Sequence, residues 1–310
     1  MRGLAWLAAL LMVGGACACG RQEPPPPPRV LTITMHPDQS ARIGGMLKER
    51  LGRALPGWNV QIREEVRQLE MMSALQESAA DVAFAYADIA YLAHVGSFEG
   101  RRFDRLRAIA TLNMSPVYVL VRGDSDIDDL DDLQGRRVSV GQPGTRTALT
   151  VETILNTFGH DVIKSQEPFR EALARLESGA LDVIFAVGGY DPILNLETSI
   201  KSGRVRLIPL SRAAMSTLRR DHPFVHAMVL PPGLYNDKAV LTIGIERLLL
   251  CHEGLDREVA YQLTRAFFEL LPDLSTADQQ LRQMNVEAAP ATAVPLHEGA
   301  ARYYREQEQL

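Results

Sequence analysis

The stretch Val138-Ser139-Val140-Gly141-Gln142-Pro143-Gly144-Thr145-Arg146-Thr147 reads as a strand that enters a glycine-containing loop and opens a helix. The first N–H groups of a helix have no partner inside it, and the helix dipole adds partial positive charge there. Such an end binds phosphate or carboxylate. Thr145 and Thr147 add hydroxyl donors beside Gly144, and Arg146 adds a planar guanidinium that matches a carboxylate. Plain helix capping by Thr145 is the alternative reading. A second loop, Val187-Gly188-Gly189-Tyr190-Asp191-Pro192, follows an apolar strand at residues 181–187. Ligands of open α/β sheets sit outside the carboxyl ends of strands. Gly188 and Gly189 allow close backbone approach there, with Tyr190 next in line; a tight turn is the alternative.

Patterns for covalent, phosphoryl or metal chemistry are absent from the sequence. There is no G-x-x-x-x-G-K phosphate loop, and Gly96-Ser97-Phe98-Glu99-Gly100 puts serine in the wrong place for a nucleophile elbow. His297-Glu298 is followed by Gly299, Ala300 and Ala301, so no second imidazole stands one turn on. His222 and His226 are separated by Pro223, which argues against a shared helical face. The acidic run 124–133 fails as a calcium loop, since Asp129 and Gly135 stand where glycine and glutamate are needed. Capping explains that run better. Cys251 sits in an apolar run and reads as a buried small hydrophobe. The chain is therefore expected not to be an enzyme and to hold no cofactor or metal.

A net charge of −5, from 33 basic and 38 acidic residues, disfavours nucleic-acid binding. The length of 310 residues suggests two domains, at roughly 150 residues each. At the start, Arg2 precedes an apolar run at 4–13 and small residues leading into Cys17 and Cys19. This is a secretory signal pattern, too short for an ordinary membrane helix. The cysteines resemble the lipidation site of a bacterial lipoprotein, with Cys19 favoured over Cys17, although the usual leucine three residues earlier is missing. Residues 1–19 are then the signal. Residues 20–29, with five prolines at 24–28, are an extended tether to the membrane.

The body must supply elements that hold the two loops. From residue 30 short apolar runs alternate with helical periodicities, which argues for α/β layers with mainly parallel sheets. Strands are expected at 30–34, 58–62, 81–86, 107–112, 116–122, 137–140, 181–187 and 239–245. Ser40 is expected to cap a helix carrying Ile43, Leu47, Leu51 and Leu55. Further helices are expected at 69–76, 89–94, from 145 to a stop at Gly159, and at 169–176, 213–220 and 256–271, with a short one at the end.

Several segments, in order, resemble the TAXI-type solute-binding proteins of TRAP transporters. They include residues 106–110, 118–126 and Leu130-Asp131-Asp132-Leu133-Gln134-Gly135-Arg136-Arg137-Val138-Ser139-Val140-Gly141. Gly144-Thr145-Arg146-Thr147, residues 178–182 and the terminal run Pro295-Leu296-His297-Glu298-Gly299-Ala300-Ala301-Arg302-Tyr303-Tyr304-Arg305-Glu306 complete the set. The resemblance implies a two-lobed type II periplasmic binding-protein fold. One lobe would comprise 30–114 and 239–310, the other 115–238, with the two crossings as a hinge. It also implies a small carboxylate ligand such as glutamate, glutamine or 2-oxoglutarate, and a TRAP membrane permease as partner.

Two places depart from the family. Its small loop after the first strand is replaced by Met35-His36-Pro37-Asp38-Gln39-Ser40-Ala41-Arg42, and its Gly-Ser pair after the second strand by Arg67-Gln68. His36, Ser40, Arg67 and Gln68 thus bring bulk and positive charge to the expected pocket. Tyr86 and Asp88 fall where the family has a polar pair and Asp; Asp88 either orients an amine or caps the next helix. His297, Tyr303 and Tyr304 read as packing residues. The expected role is an extracytoplasmic, lipid-anchored solute receptor feeding a permease. A ligand-sensing lipoprotein without transport, and an enzyme on the same scaffold, are the alternatives.

Overall fold

The computed structural model describes residues 29–97, 100–188, 196–233, 235 and 238–308. The signal, residues 20–28 of the tether, Cys17, Cys19, Gly189 and Tyr190 lie outside those residues, and Arg29 at the tether's end opens β1. The chain runs β1 (Arg29–Met35), α1 (Pro37–Gln39), a π-helical turn (Ser40–Gly44), α2 (Gly45–Ala54), β2 (Trp58–Glu64), α3 (Gln68–Gln76), β3 (Val82–Tyr86) and α4 (Ala87–Val95). It continues with β4 (Leu106–Arg122), a 3₁₀ turn (Leu130–Leu133), β5 (Arg137–Ser139), α5 (Arg146–Phe158), β6 (Ile163–Ser165), α6 (Phe169–Glu177), β7 (Val183–Val187) and α7 (Leu196–Lys201). The last part is β8 (Val205–Leu207), α8 (Arg212–Asp221), β9 (Val225–Leu230), β10 (Val240–His252), α9 (Arg257–Ala277), a second 3₁₀ turn (Gln279–Gln283) and α10 (Glu298–Glu306). Among the described residues no helix is long and apolar enough to cross a membrane.

β1 lies between β2 and β3 and is parallel to both. β5 lies between β6 and β7 in the same way. Two long strands, β4 and β10, run antiparallel to each other and join the two parallel sets in the order β2-β1-β3-β10-β4-β7-β5-β6. β8 adds to β4 and β9 to β10. β4 is one strand of 17 residues, where two shorter strands were expected. Asn113, Met114, Ser115 and Pro116 look like a break in the chain. They are nonetheless held in the ladder, with Met114 opposite Glu246 and Pro116 opposite Gly244.

Helix starts and stops follow local chemistry. Thr145 caps α5 through its hydroxyl to Ala148 N, and Gly159 ends it at φ 66°, a conformation that favours glycine. Ser211 and Asp256 cap α8 and α9. Ser40 does not cap its helix. The helical path begins three residues earlier, where His36 Nδ1 accepts from Asp38 N at 3.3 Å and Pro37 occupies the first turn. α9 passes through Pro272 to Ala277, beyond the expected end. In the acidic run, Asp129 and Asp132 form a capping box, while Asp126 pairs with Arg136 and Asp128 with Arg206. His222 bonds Thr157 and His226 pairs with Glu246, so each histidine has its own neighbour.

The core follows the layers. Leu31, Ile33 and Met35 of β1 pack with Leu47 and Leu51 of α2 and Leu263 and Phe267 of α9. Tyr118 and Leu120 of β4 pack with Leu176 of α6 and Ile184 of β7. A further cluster is continuous from Ala85 and Ile89 to Val151, Ile154 and Phe185, so the two parallel sets share buried surface around α4 and α5. Each fully buried Leu or Ile contributes about 1.5–3 kcal/mol relative to an exposed one. The carboxyl ends of β1, β3 and β5 are thereby fixed around one opening.

Candidate functional site

That opening is a cleft of about 530 Å³. β1 delivers His36 to its wall, α1 and the π turn deliver Asp38, Gln39 and Arg42, and the start of α3 delivers Arg67 and Gln68. Tyr86 ends β3 on the floor, and Pro143, Gly144, Thr145 and Arg146 close the far side from the start of α5. Of the residues singled out in the sequence, His36, Arg67, Gln68, Tyr86, Gly144, Thr145 and Arg146 are brought together here. Ser40 and Asp88 do not line it.

Arg146 is held on three sides. Its Nη2 donates to Val187 O at 2.6 Å, its guanidinium lies 4.0 Å from the centre of the Tyr86 ring, and the Asp88 carboxylate stands close enough to act on it electrostatically. Its Nη1 is buried without a hydrogen-bond partner. Asp88 itself is buried behind the cleft, accepting from Ile89 N at 2.8 Å and from Thr150 Oγ1 at 2.7 Å. Burial pushes its carboxyl above the usual range, and the Thr150 hydroxyl, the Ile89 amide and Arg146 pull the other way. The Asp88–Thr150 bond ties α4 to α5.

Several wall residues were not among the expected site residues, Arg247, Gln280, Arg42 and Gln39 among them. Arg247, on β10, is 4% exposed and donates from Nη1 to Gln280 Oε1 at 2.6 Å. Burial lowers its proton affinity, Tyr86 and Asp278 raise it, and the nearby Arg146 and Arg42 lower it again. Arg42 reaches Asp278 Oδ1 at 3.5 Å. Asp278 also caps the second 3₁₀ turn, accepting from Gln280 N. The sequence signal for Arg247 was the charged pair Glu246-Arg247 inside an otherwise apolar run, Ile243 to Cys251. Gln39 Nε2 and Gln68 Oε1 are likewise buried and unpartnered at the cleft wall. Arg67, by contrast, is mostly exposed and paired with Glu70 at 2.5 Å. A solvated pair of that kind contributes little.

A smaller pocket of about 270 Å³ opens beside the cleft, at the carboxyl ends of β5 and β7. Thr147 and Gly188 line it together with Gly141 and Gln142, and Thr145 lines both cavities. Gly141 has φ 82° and packs on Thr147, so a side chain there would be strained and would crowd the helix start. The geometry provides a cationic cleft with orphaned hydrogen-bonding groups. Unsatisfied buried polar atoms of this kind are costly unless a ligand or water meets them.

Residues 51–307 match the family model described as the NMT1-like family. The chain belongs to that NMT1-like family. Among solved structures, this NMT1-like chain is similar to XAC2383 from Xanthomonas citri bound to ATP, at 12% identity and a TM-score of 0.58, over 91% of this chain and 99% of that one. It is similar to the putative periplasmic sulfonate-binding protein SsuA from Methylobacillus flagellatus, at 13% identity and 0.52, over 91% and 78%. It is also similar to MatC from Rhodopseudomonas palustris with bound malate, at 16% identity and 0.51, over 91% and 97%. The NMT1-like chain therefore has the two-lobed α/β fold of type II periplasmic binding proteins. The match establishes the NMT1-like family and does not by itself establish the TAXI type expected from the short segments.

Proposed function

We propose that this protein is an extracytoplasmic solute receptor that binds a small carboxylate in the cleft and hands it to a membrane permease, without chemistry on the ligand. The observation that carries this reading is Arg146: a guanidinium fixed by Val187 O and the Tyr86 ring, with Nη1 buried and unpartnered beside the start of α5. A carboxylate oxygen placed there completes its bonding and meets the helix dipole. Buried Arg247 faces the same space from β10, so the cleft selects anions. The sulfonate-binding and malate-bound neighbours use this fold for anionic ligands, which supports the same class here. The segments that resemble TAXI receptors make a TRAP permease the partner to test first, with a lipid on Cys19 or Cys17 as anchor. Residues 30–114 with 239–310 would then form one lobe and 115–238 the other. Closure would turn on β4 and β10.

The test is a thermal-shift series with mono- and dicarboxylates, amino acids and neutral sugars. A ligand at a hundredfold excess over Kd stabilises by about 2.7 kcal/mol, so at least one carboxylate should raise the melting temperature by several degrees while sugars do nothing. Arg146→Ala should weaken that carboxylate by about 1.5–3 kcal/mol, roughly tenfold to a hundredfold. Wild-type affinity in Arg146→Ala would refute the assignment.

A further inference from the structure

The side pocket differs from the cleft in charge. The cleft is lined by Arg42, Arg67, Arg146 and Arg247, whereas among the described residues no arginine or lysine lines the side pocket. Pro168, Phe169, Ile184 and Phe185 form an apolar wall opposite Ser139, Gln142, Thr145 and Thr147, and among the described residues Glu167 is the one carboxylate that lines it. Glu167 is 8% exposed. One of its oxygens, Oε2, is engaged: Ser165 Oγ donates to it and Arg175 Nη1 donates to it at 2.8 Å. The other, Oε1, is buried and has no hydrogen-bond partner. Arg175 also bonds Ser165 Oγ at 2.7 Å, so the carboxylate is clamped through Oε2 while Oε1 has no partner.

A clamped carboxylate with one bare oxygen is an acceptor waiting for a donor. Leaving such an oxygen unmet costs more than a hydrogen bond to it returns, so a site keeps it for something that binds. Of the hydroxyls that line the pocket, Thr145 Oγ1 donates to Gln142 O at 2.6 Å and Thr147 Oγ1 accepts from Val187 N, and neither bonds Glu167 Oε1. Thr145 lines both cavities, which puts the side pocket next to the cleft.

Building on the receptor reading above, we infer that the side pocket is a second subsite of the same ligand. The ligand is an anion whose carboxylate sits among the cleft arginines and whose apolar arm crosses Thr145 and ends in a hydrogen-bond donor on Glu167 Oε1. An ammonium is the strongest such donor, because the bond is then charge-assisted on both sides. A hydroxyl is the neutral version.

The probes are three carboxylates of equal length: hexanoate, 6-hydroxyhexanoate and 6-aminohexanoate, with a shorter and a longer set to scan the arm. Titration calorimetry on the wild-type protein should place the amino or hydroxy compound of the best-fitting length about tenfold or more below the alkyl compound in Kd, the size of one charge-assisted bond. Glu167→Gln should remove most of the preference for the amino compound while leaving hexanoate unchanged. Glu167→Met should reverse the order in favour of hexanoate. The wild-type comparison needs no variant, so a misfolded variant leaves the inference testable. Carboxylate binding with no preference at the far end, or a preference that survives in Glu167→Gln, would overturn the subsite and leave the cleft reading standing. Failure of every carboxylate to bind, with no effect of Arg146→Ala, would overturn both.

Discussion

The cleft and the C-terminal anchor use the same kinds of residue and treat them in opposite ways. In the anchor, residues 295–297 lie against β4, with Ala108 N donating to Pro295 O and His297 N to Ala108 O, both at 2.8 Å. His297 uses both ring nitrogens, one accepting from Gly299 N to cap α10 and the other bonding Leu255 O at 3.0 Å. Tyr304 is fully buried, and its hydroxyl donates to Ile109 O at 2.9 Å. Gly299 is so close to α9 that a Cβ would lie 2.3 Å from Arg257 O. Around the cleft, Arg146 Nη1, Gln39 Nε2 and Gln68 Oε1 are equally buried and have no partner. Satisfied polar groups hold a fold together; orphaned ones that line a cleft are where a ligand or water can supply the missing bond. The most distinctive run of the sequence, 295–306, therefore does structural work, while the residues poised for a ligand sit in less conspicuous stretches.

This contrast can be broken by separating stability from affinity. The largest expected effect is in the anchor: Tyr304→Ala should cost about 3–5 kcal/mol of folding stability, as for other buried aromatic deletions. Urea denaturation measures it, and ligand affinity at a temperature where the variant is folded should stay at the wild-type value. Equal loss in both would mean that the anchor shapes the cleft. The next effect is in the cleft. Arg247→Met should weaken carboxylate binding by roughly 1.5–3 kcal/mol at a smaller cost in folding stability, because it removes a buried charge beside Arg146 and Arg42 and gives up one hydrogen bond to Gln280. A large drop in stability without loss of affinity would assign Arg247 to the frame.

The smallest effect sharpens the comparison through pH. Burial holds the His297 imidazole below the ordinary histidine range, partly opposed by its bonds to backbone carbonyls. The unfolded chain takes up that proton near pH 6.5 and the folded chain only lower down. Its contribution to stability is thus present above about pH 6.5 and is lost as pH falls through the folded value. The urea midpoint should fall between pH 7.5 and pH 5, and His297→Asn, which still caps a helix, should flatten that fall. An unchanged slope in the variant would move the pH dependence to another group.

Local interactions made much of this legible in the sequence. The Thr145 cap, the Gly159 stop and the amphipathic face of α5 are set within a few residues, so Thr145 and Arg146 were placed at a helix start from types and spacing alone. The packing roles of His297 and Tyr304, and the burial of Cys251, also follow from residue type in an apolar context. Other features depended on partners distant in the chain. Ser40 lost its capping role because His36 and Pro37 start the helical path earlier. Residues 106–122 became one strand because β10 supplies a continuous ladder across Asn113 to Pro116. Arg247 is remote from Arg146 in sequence, and only the antiparallel pairing of β10 with β3 sets it opposite Tyr86 at the cleft floor. The same holds for Glu167, whose Oε1 is left bare because Arg175 and Ser165 both engage Oε2. Residue type and short-range periodicity determine caps, faces and apolar runs, because those interactions close within a turn or two of chain. Which charges meet, and which are left unmet, is decided by long-range strand pairing, since burial and missing partners exist only once distant segments have packed.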